Sequence, residues 1–262
     1  MRPEIYLFGL SFPTYGMIAF AGLLVCAAVS VVLLRRRNIN SSDFLFTTVA
    51  VAVGLLAGSH LLYALTRSAE IAQVIKNYGE YSSFASFFED FIRYFSGMVF
   101  YGGLYGGLLF GVLFAKKKKY PVREMTDVFA VLVPLFHVFG RVGCFFAGCC
   151  YGVKWQYGIS GRVIVGDVKE YAKRLPIQLV EAGMLLVIFS VMLWLFAKNK
   201  CRQKLIFVYL CTYAVIRFVL EFFRGDEVRG FFLTLSTSQW ISILTLVWVG
   251  VYLVASKKKS KI

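Results

Sequence analysis

The sequence predicts an all-α integral membrane protein with seven transmembrane helices, and three observations support that fold class. Hydrophobic residues make up 59% of the 262 residues and charged residues only 16%, whereas about a quarter of a soluble domain is charged. Apolar stretches of roughly 18 residues or more recur along the chain, which is the length that a helix needs to cross a bilayer. Short basic clusters follow every second stretch, as the positive-inside rule requires of a multi-pass protein.

The apolar stretches set the predicted spans, which lie at residues 13–34, 44–66, 98–115, 127–148, 177–197, 204–223 and 237–255. Basic clusters follow the first, third, fifth and seventh spans, so we expect the N-terminus outside and the C-terminus in the cytoplasm. No internal repeat or low-complexity linker interrupts the series. The chain is therefore predicted to form a single domain over residues 1–262.

Two longer connections fall on the predicted outer side. In residues 67–97 five aromatic side chains recur on one helical face, namely Phe84, Phe87, Phe88, Phe91 and Phe95. That pattern is typical of an amphipathic helix lying in the membrane interface. Residues 150–175 carry many charges and are predicted to form an external loop.

The net charge of +15 is attributed to anchoring against anionic lipid, because the basic residues concentrate beside the predicted spans. We therefore expect membrane lipid, and no nucleic acid, as a partner.

Polar side chains inside the spans concentrate near their predicted outer ends. They are Tyr15, His60, Tyr101, Arg141, Gln178, Glu181, Arg217, Glu221, Ser236 and Gln239. A charge at this depth costs roughly 2.5–3.5 kcal/mol on insertion scales, so it normally faces protein or a water-filled cavity. Taken singly, these groups are explained by hydrogen bonds and ion pairs between helices, such as Arg217 with Glu221 at i, i+4. As a set they favour a polar cavity open to the outer leaflet.

Two arginines provide the first functional hypothesis. A guanidinium group stays charged and donates two parallel hydrogen bonds, so it suits phosphate. Arg141 and Arg217, near the headgroup level, indicate a bound phospholipid headgroup. In the sixth predicted span, Tyr213, Arg217, Glu221 and Arg224 recur at steps of four, four and three residues, so they are predicted to share one helical face.

Seven motifs in order resemble one enzyme family. They are "FPTYGMIAF", "GSHLLYAL", "YGGLYGGLLFG", "GRVGCFFAGCCYG", "LPIQLVEA", "YAVIRFVLEFFRGD" and "LSTSQWIS". Over nearly its whole length the chain resembles the prolipoprotein diacylglyceryl transferase family. The resemblance implies transfer of a diacylglyceryl group from phosphatidylglycerol to the cysteine thiol of a lipoprotein precursor, with release of glycerol phosphate.

The matching positions imply a set of site residues. Arg141 and Arg217 are expected to stabilise the headgroup and the leaving phosphate without a general acid, with Glu221 orienting Arg217. The positions expected to bind substrate are Tyr15, Gly102, Gly103, Gly143, Cys144, Cys149, Gly152, Gln178, Glu181, Tyr213 and Gln239. Most glycines of residues 101–111 are also explained by close helix packing. No metal and no cofactor is expected.

The chain departs from the family pattern at three functional positions. The histidine of a His-Gly-Gly motif, a signature asparagine and a signature glutamate are replaced by Tyr101, Cys144 and Cys149. The nucleophile must be a thiolate, and a free cysteine has a pKa of about 8.5, so a base is needed. Tyr101 is assigned as catalytic in the histidine's place, with help from nearby arginines, because an ordinary tyrosine has a pKa of about 10. His137, four residues before Arg141, is an alternative base.

The cysteines Cys144, Cys149 and Cys150 have three interpretations. As metal ligands they lack the Cys-x-x-Cys pairs of structural zinc sites. As a redox pair, Cys149 and Cys150 would suit an oxidising outer face. The favoured interpretation makes all three small residues that line a divergent pocket.

The sequence therefore predicts a divergent diacylglyceryl transferase, multi-pass in the bacterial cytoplasmic membrane. Its expected partners are phosphatidylglycerol and the lipobox cysteine of a prolipoprotein signal peptide. The alternatives are a non-catalytic lipid-binding protein, a transferase with a different acceptor, and a membrane thiol oxidoreductase.

Overall fold

The computed structural model describes residues 4–7, 10–165, 168–226 and 231–259. Its helices are α1 (Thr14–Arg37), α2 (Ser41–Thr66), α3 (Ser68–Lys76), α4 (Phe84–Arg93), α5 (Phe100–Lys117), α6 (Val122–Ala147), α7 (Ile177–Ala197), α8 (Leu205–Leu220) and α9 (Thr237–Lys259). Its strands are β1 (Glu4–Leu7), β2 (Leu10–Pro13), β3 (Lys154–Val165), β4 (Val168–Arg174), β5 (Phe231–Phe232) and β6 (Leu235–Ser236), paired consecutively as antiparallel hairpins.

Six of the helices described are long and apolar enough to cross a membrane: α1, α2, α6, α7, α8 extended by the turn to Phe223, and α9. Their bounds follow the predicted spans closely, and they indicate a multi-pass membrane protein. The third predicted span, residues 98–115, also forms a helix, α5. It is not among the six, because its glycines and its terminal lysines lower the mean hydropathy.

The chain divides into two compact units, one of Met1–Asn38 with Arg123–Ile262 and the other of Ile39–Val122. In the second unit α2 packs along α5 through glycines. A Cβ on Gly58 would lie 2.3 Å from the carbonyl oxygen of Gly102, and one on Gly54 would lie 2.4 Å from that of Gly106. The predicted close packing of these glycines is confirmed, since any side chain would separate the two backbones.

In the first unit α7, α8 and α9 pack in succession, and Asp127 on α6 holds the start of α8. Its carboxylate accepts the backbone N–H of Gln203 at 2.5 Å and of Leu205 at 3.0 Å. Asp127 is fully buried. The bond to Leu205 satisfies an N–H group that the start of α8 leaves without an intrahelical partner. Both bonds tie α6 to the segment in which α8 begins.

The prediction of a loop at residues 150–175 is wrong, because most of this segment forms the β3–β4 hairpin. Within the hairpin Val163 is almost completely buried. Glu170 on β4 accepts hydrogen bonds from Lys154 at 2.7 Å and Arg174 at 2.5 Å. These two bonds lower the pKa of Glu170 below its ordinary value.

The aromatic segment of residues 67–97 contains the expected helix, α4, and an additional one, α3, that the pattern did not predict. Within α4 Phe84 stacks on Phe88, and Phe87 stacks on Phe91. Phe95, predicted on the same face, lies beyond the end of the helix and contacts Phe91.

Candidate functional site

A buried carboxylate, Glu181, lies at the centre of a polar cluster in the first unit. Its Oε1 is 2.9 Å from Arg141 Nη2, and its Oε2 is 3.7 Å from Arg217 Nη1. The hydroxyl of Tyr213 donates to it at 3.4 Å, and His137 Nε2 is 4.0 Å away. Three helices supply these side chains: α6 carries His137 and Arg141, α7 carries Glu181, and α8 carries Tyr213 and Arg217.

A second carboxylate completes the cluster. Glu221, in the single 3-10 turn that follows α8, lies 2.7 Å from Arg217 Nη2, as its i, i+4 spacing predicts. The side chains of Arg141, Glu181, Arg217 and Glu221 are each less than a tenth exposed. Two guanidiniums thus face two carboxylates, and this balance is what makes four buried ions tolerable.

The pairing does not use all of the guanidinium donors. Among the residues that the structure describes, Arg141 Nε and Arg217 Nη1 have no hydrogen-bond partner, although both are buried. Arg217 Nη1 is near Glu181, but at 3.7 Å the contact is an ion pair without a hydrogen bond. Buried donors are nearly always paired in proteins, so these two N–H groups are positions where an anionic ligand can bind.

Beside the cluster, three thiols meet at the C-terminal end of α6. The sulfur atoms of Cys144, Cys149 and Cys150 all lie within 4.8 Å of one another, and each residue is half-buried. Hydrogen bonds with Cys144 and Cys149 lower the pKa of the Cys150 thiol; burial opposes that shift, and the charges of Arg224 and Arg141 reinforce it.

The backbone that presents the thiols is held by residues from elsewhere in the chain. Gln178, predicted to bind substrate, donates its side-chain amide to the carbonyl of Cys149 at 2.7 Å. Gly152 forms an isolated antiparallel bridge with Arg224. A Cβ on Gly152 would lie 2.4 Å from the carbonyl oxygen of Leu175, so only glycine fits there.

The prediction that Arg224 shares the helical face of Arg217 is wrong. Helix α8 ends at Leu220, and Arg224 follows the 3-10 turn in an extended conformation. Its guanidinium donates two hydrogen bonds to Asp226, at 2.9 and 2.6 Å. Burial opposes ionisation of Arg224, but these bonds raise its pKa above the ordinary value.

Two further predicted residues of this unit contact neighbours of their own. Tyr15, at the start of α1, packs its ring against Gly143, where a Cβ would approach within 2.8 Å. Gln239, in the first turn of α9, uses its side-chain oxygen to accept the N–H of Ser236 at 2.9 Å, and its own N–H donates to the Ser236 hydroxyl. Gln239 therefore contributes to the cap of α9.

The remaining predicted residues lie in the second unit. Tyr101 is buried and stacks on Tyr105 with ring centroids 6.3 Å apart. Gly102 and Gly103 face α2, and His60 Nδ1 donates to the carbonyl of Gly97 at 2.9 Å. The catalytic and substrate-binding assignments of these residues remain predictions.

Sequence reasoning missed two members of the site. Ser238 accepts a hydrogen bond from Arg217 Nη2 at 3.2 Å, and Asp226 pairs with Arg224. The polar run "STSQ" before an apolar stretch and the "RGD" after another were the available signals. Neither motif shows which arginine the Ser238 or Asp226 side chain will contact, because those contacts depend on how the chain packs.

Comparison with known proteins agrees with the resemblance read from the motifs. A family model described as prolipoprotein diacylglyceryl transferase matches residues 3–255. A phosphatidylglycerol–prolipoprotein diacylglyceryl transferase of Clostridium tetani is 29% identical over 257 residues, 96% of each chain. Phosphatidylglycerol–prolipoprotein diacylglyceryl transferase 2 of Clostridium perfringens is 30% identical over 250 residues, which are 92% of this chain and 90% of the relative. A phosphatidylglycerol–prolipoprotein diacylglyceryl transferase of Helicobacter pylori (strain J99) is 29% identical over 231 residues, which are 87% of this chain and 80% of the relative. The chain belongs to the prolipoprotein diacylglyceryl transferase family.

Proposed function

We propose that this protein transfers a diacylglyceryl group from phosphatidylglycerol to the lipobox cysteine of a prolipoprotein. Family membership and the names of the relatives support the two substrates. The observation that carries the proposal is the pair of buried arginines, Arg141 and Arg217, each with one side-chain N–H group that no described residue accepts. A phosphodiester oxygen suits such donors in position and charge.

In the proposed reaction the acceptor thiolate attacks the glyceryl carbon next to the phosphate. A carbon–sulfur bond forms while the carbon–oxygen bond breaks, and the electron pair leaves with the oxygen as glycerol phosphate. Negative charge on the phosphate grows during this step. Arg141 and Arg217 stabilise that charge, Glu221 and Ser238 orient Arg217, and Glu181 holds the two guanidiniums beside each other.

The proposal includes the seven-helix topology. Helix α5 crosses the membrane as the third span in chain order and brings the six to seven. The N-terminus lies outside, and the basic end of α1 at Arg35–Arg37 lies in the bacterial cytoplasm. Helix α4 lies in the outer interface, and its exposed Phe84 and Phe88 face the lipid. The motif resemblance alone supports two further parts of this proposal, Tyr101 as the base of the reaction and a single domain over residues 1–262.

The test is a transfer assay with purified protein in micelles containing phosphatidylglycerol. The acceptor is a lipobox peptide with one cysteine, and mass spectrometry detects the added diacylglyceryl group. Arg217→Gln should lower the rate by about 100-fold or more, the usual cost of removing one donor to a developing oxyanion.

The matched control is Arg37→Gln. The side chain of Arg37 is also buried and is paired with Glu124 at 3.7 Å. Glu124 lies in the first turn of α6, roughly 25 Å from Arg141 along the helix. Arg37→Gln should leave transfer per folded molecule unchanged. Equal loss in both variants, or full activity in Arg217→Gln, would refute the assignment, and bound phosphatidylglycerol without any transfer would favour a lipid-binding protein.

A further inference from the structure

We infer that Cys144, Cys149 and Cys150 bind one Zn²⁺ ion whose open fourth position takes the acceptor thiol. This inference deepens the proposed function and rests on it for the identity of the acceptor, whereas the metal site itself rests only on the described side chains. In this inference the metal site, and not Tyr101, activates the acceptor thiol.

The sulfur positions fit such an ion. Zn²⁺ binds thiolates at about 2.3 Å, so two sulfurs of a tetrahedral site lie about 3.8 Å apart. The three sulfurs are already within 4.8 Å of one another, and small rotations of the side chains would bring them onto one ion. In the part of the chain that the structure describes, this is the one group of three or more cysteine, histidine or acidic residues placed to hold a metal. Among the described residues no fourth ligand belongs to the group, which leaves a position for an incoming group.

The local backbone organises the three ligands. The N–H groups of Gly148 and Cys149 both donate to the carbonyl of Cys144, and Gly148 has a positive φ of 78°. This is the turn with which many helices end, and it returns Cys149 and Cys150 toward the last turn of α6. The turn explains why residue 148 is glycine. It does not explain why residue 150, whose backbone is also left-handed, is a cysteine.

Cys150 occupies that position, with φ of 55°. A non-glycine residue in this region is strained, and such residues are found often at functional sites. The strained segment is fixed from outside by Gln178, which binds the carbonyl of Cys149, and by Gly225, whose N–H donates to the carbonyl of Tyr151 at 2.9 Å. The backbone that carries Cys149 and Cys150 is therefore held in place before any metal binds.

The charges around the site also agree. Zn²⁺ with three thiolates carries one net negative charge, and a fourth thiolate adds another. The guanidiniums of Arg141 and Arg224 both act electrostatically on Cys150, and they offset this charge. Arg141 also contacts Glu181 at 2.9 Å, so the metal-bound thiol would lie beside the cluster proposed to hold the lipid phosphate.

The ion would activate the acceptor directly. On binding, the acceptor thiol loses its proton to solvent and becomes a zinc thiolate, since coordination deprotonates a thiol outright. Its sulfur then attacks the glyceryl carbon, the carbon–oxygen bond breaks, and glycerol phosphate leaves with the electron pair. The thioether product is neutral and dissociates from the metal, which returns to its three-thiolate state without any change of oxidation state.

The first experiment measures metal binding without reference to activity. Protein purified under reducing conditions is loaded with Zn²⁺ or with Co²⁺, whose visible bands report tetrahedral thiolate ligation. We expect one ion per chain. Each of Cys144→Ser, Cys149→Ser and Cys150→Ser should weaken binding by more than about 100-fold, because even loss of an outer-shell partner costs 10–100-fold. Cys201→Ser is the control, since Cys201 is exposed and outside the group.

The second experiment adds the lipobox peptide to the Co²⁺ protein. A change in the cobalt bands with the cysteine peptide, and none with its serine analogue, would support thiol ligation. Unchanged bands would overturn it, as would full transfer activity after chelation of the unaltered protein. Three reduced thiols that bind no metal, or a disulfide between Cys149 and Cys150 that forms in place of metal binding, would overturn the site itself.

The failure of the proposed function gives a different pattern. In that case one ion binds, the cysteine variants lose it, and the peptide alters the cobalt bands, yet no diacylglyceryl group is transferred. This result would support the metal site and refute the proposed reaction.

Discussion

Removing the central carboxylate of the arginine cluster should destabilise the protein strongly. Glu181 is 2.9 Å from Arg141 and 3.7 Å from Arg217. At an effective dielectric constant of about 20 these separations correspond to about 6 and about 4 kcal/mol of attraction. Several kcal/mol of this are offset by the cost of desolvating the carboxylate, so we expect Glu181→Gln to lower the free energy of unfolding by about 3–5 kcal/mol.

The assay is thermal unfolding of the purified protein in detergent micelles. For a domain of 150–250 residues, 1 kcal/mol lowers Tm by about 2–4 °C, so the expected decrease is about 6–20 °C. Glu170→Gln is the control: this carboxylate also has two basic partners, Lys154 and Arg174, but it is a third exposed. Its replacement should change Tm much less, because solvent already screens that pair.

Added lipid gives the result that decides the reasoning. Without Glu181, one carboxylate of the cluster, Glu221, remains for two guanidiniums and pairs with Arg217, so a lipid phosphate should compensate for part of the missing charge. Phosphatidylglycerol should therefore raise the Tm of Glu181→Gln more than that of the unaltered protein, and zwitterionic phosphatidylcholine should not. Equal stabilisation of both proteins by phosphatidylglycerol, or a loss as small as that of Glu170→Gln, would refute the charge-balance argument.

Three further predictions concern the scaffold. Gly152→Ala should lower the free energy of unfolding by about 1–3 kcal/mol, because its Cβ would lie 2.4 Å from a backbone carbonyl oxygen. The control is Gly183→Ala, since a Cβ on Gly183 would meet open space. Equal Tm values for the two variants would contradict the close packing of Gly152. Asp127→Ala should cost about 1–3 kcal/mol in chemical denaturation, because buried N–H groups at the start of α8 lose their acceptor; an unchanged midpoint would contradict this. Because the pKa of Glu170 is lowered in the folded state, its contribution to the β3–β4 hairpin is present above the unfolded carboxyl pKa and lost as the pH falls through the folded value. Hydrogen exchange in β4 should accelerate over that range, and the same acceleration in Glu170→Gln would show that another group titrates.

Much of the site was predictable because a charge in an apolar stretch is visible locally. Arg141, Arg217 and Glu221 stand out in the sequence for this reason, and the i, i+4 pairing of the last two follows from helical geometry alone. The role of Glu181 was not predictable in the same way. It was expected among the substrate-binding residues, but its contacts join α6, α7 and α8, and such contacts depend on helix rotation and packing.

The cysteines and the hairpin illustrate the same limit. Sequence spacing argued against a metal site, because Cys144, Cys149 and Cys150 lack the usual pairs. The turn at Gly148 and the left-handed Cys150 nevertheless bring their sulfur atoms together. In residues 150–175 the many charges favoured a loop, whereas the hairpin depends on the pairing of β3 with β4, which the charge pattern does not reveal.

By itself, the sequence determined where the helices lie, which segments are apolar enough for a membrane, and which side chains carry charge within them. These properties depend on composition and on the period of a single helix. The tertiary structure alone decided which charges neutralise each other, which arginine N–H groups have no acceptor among the described residues, and that three thiols share one small volume. Those properties depend on distances between residues far apart in the chain, which packing sets and local pattern does not.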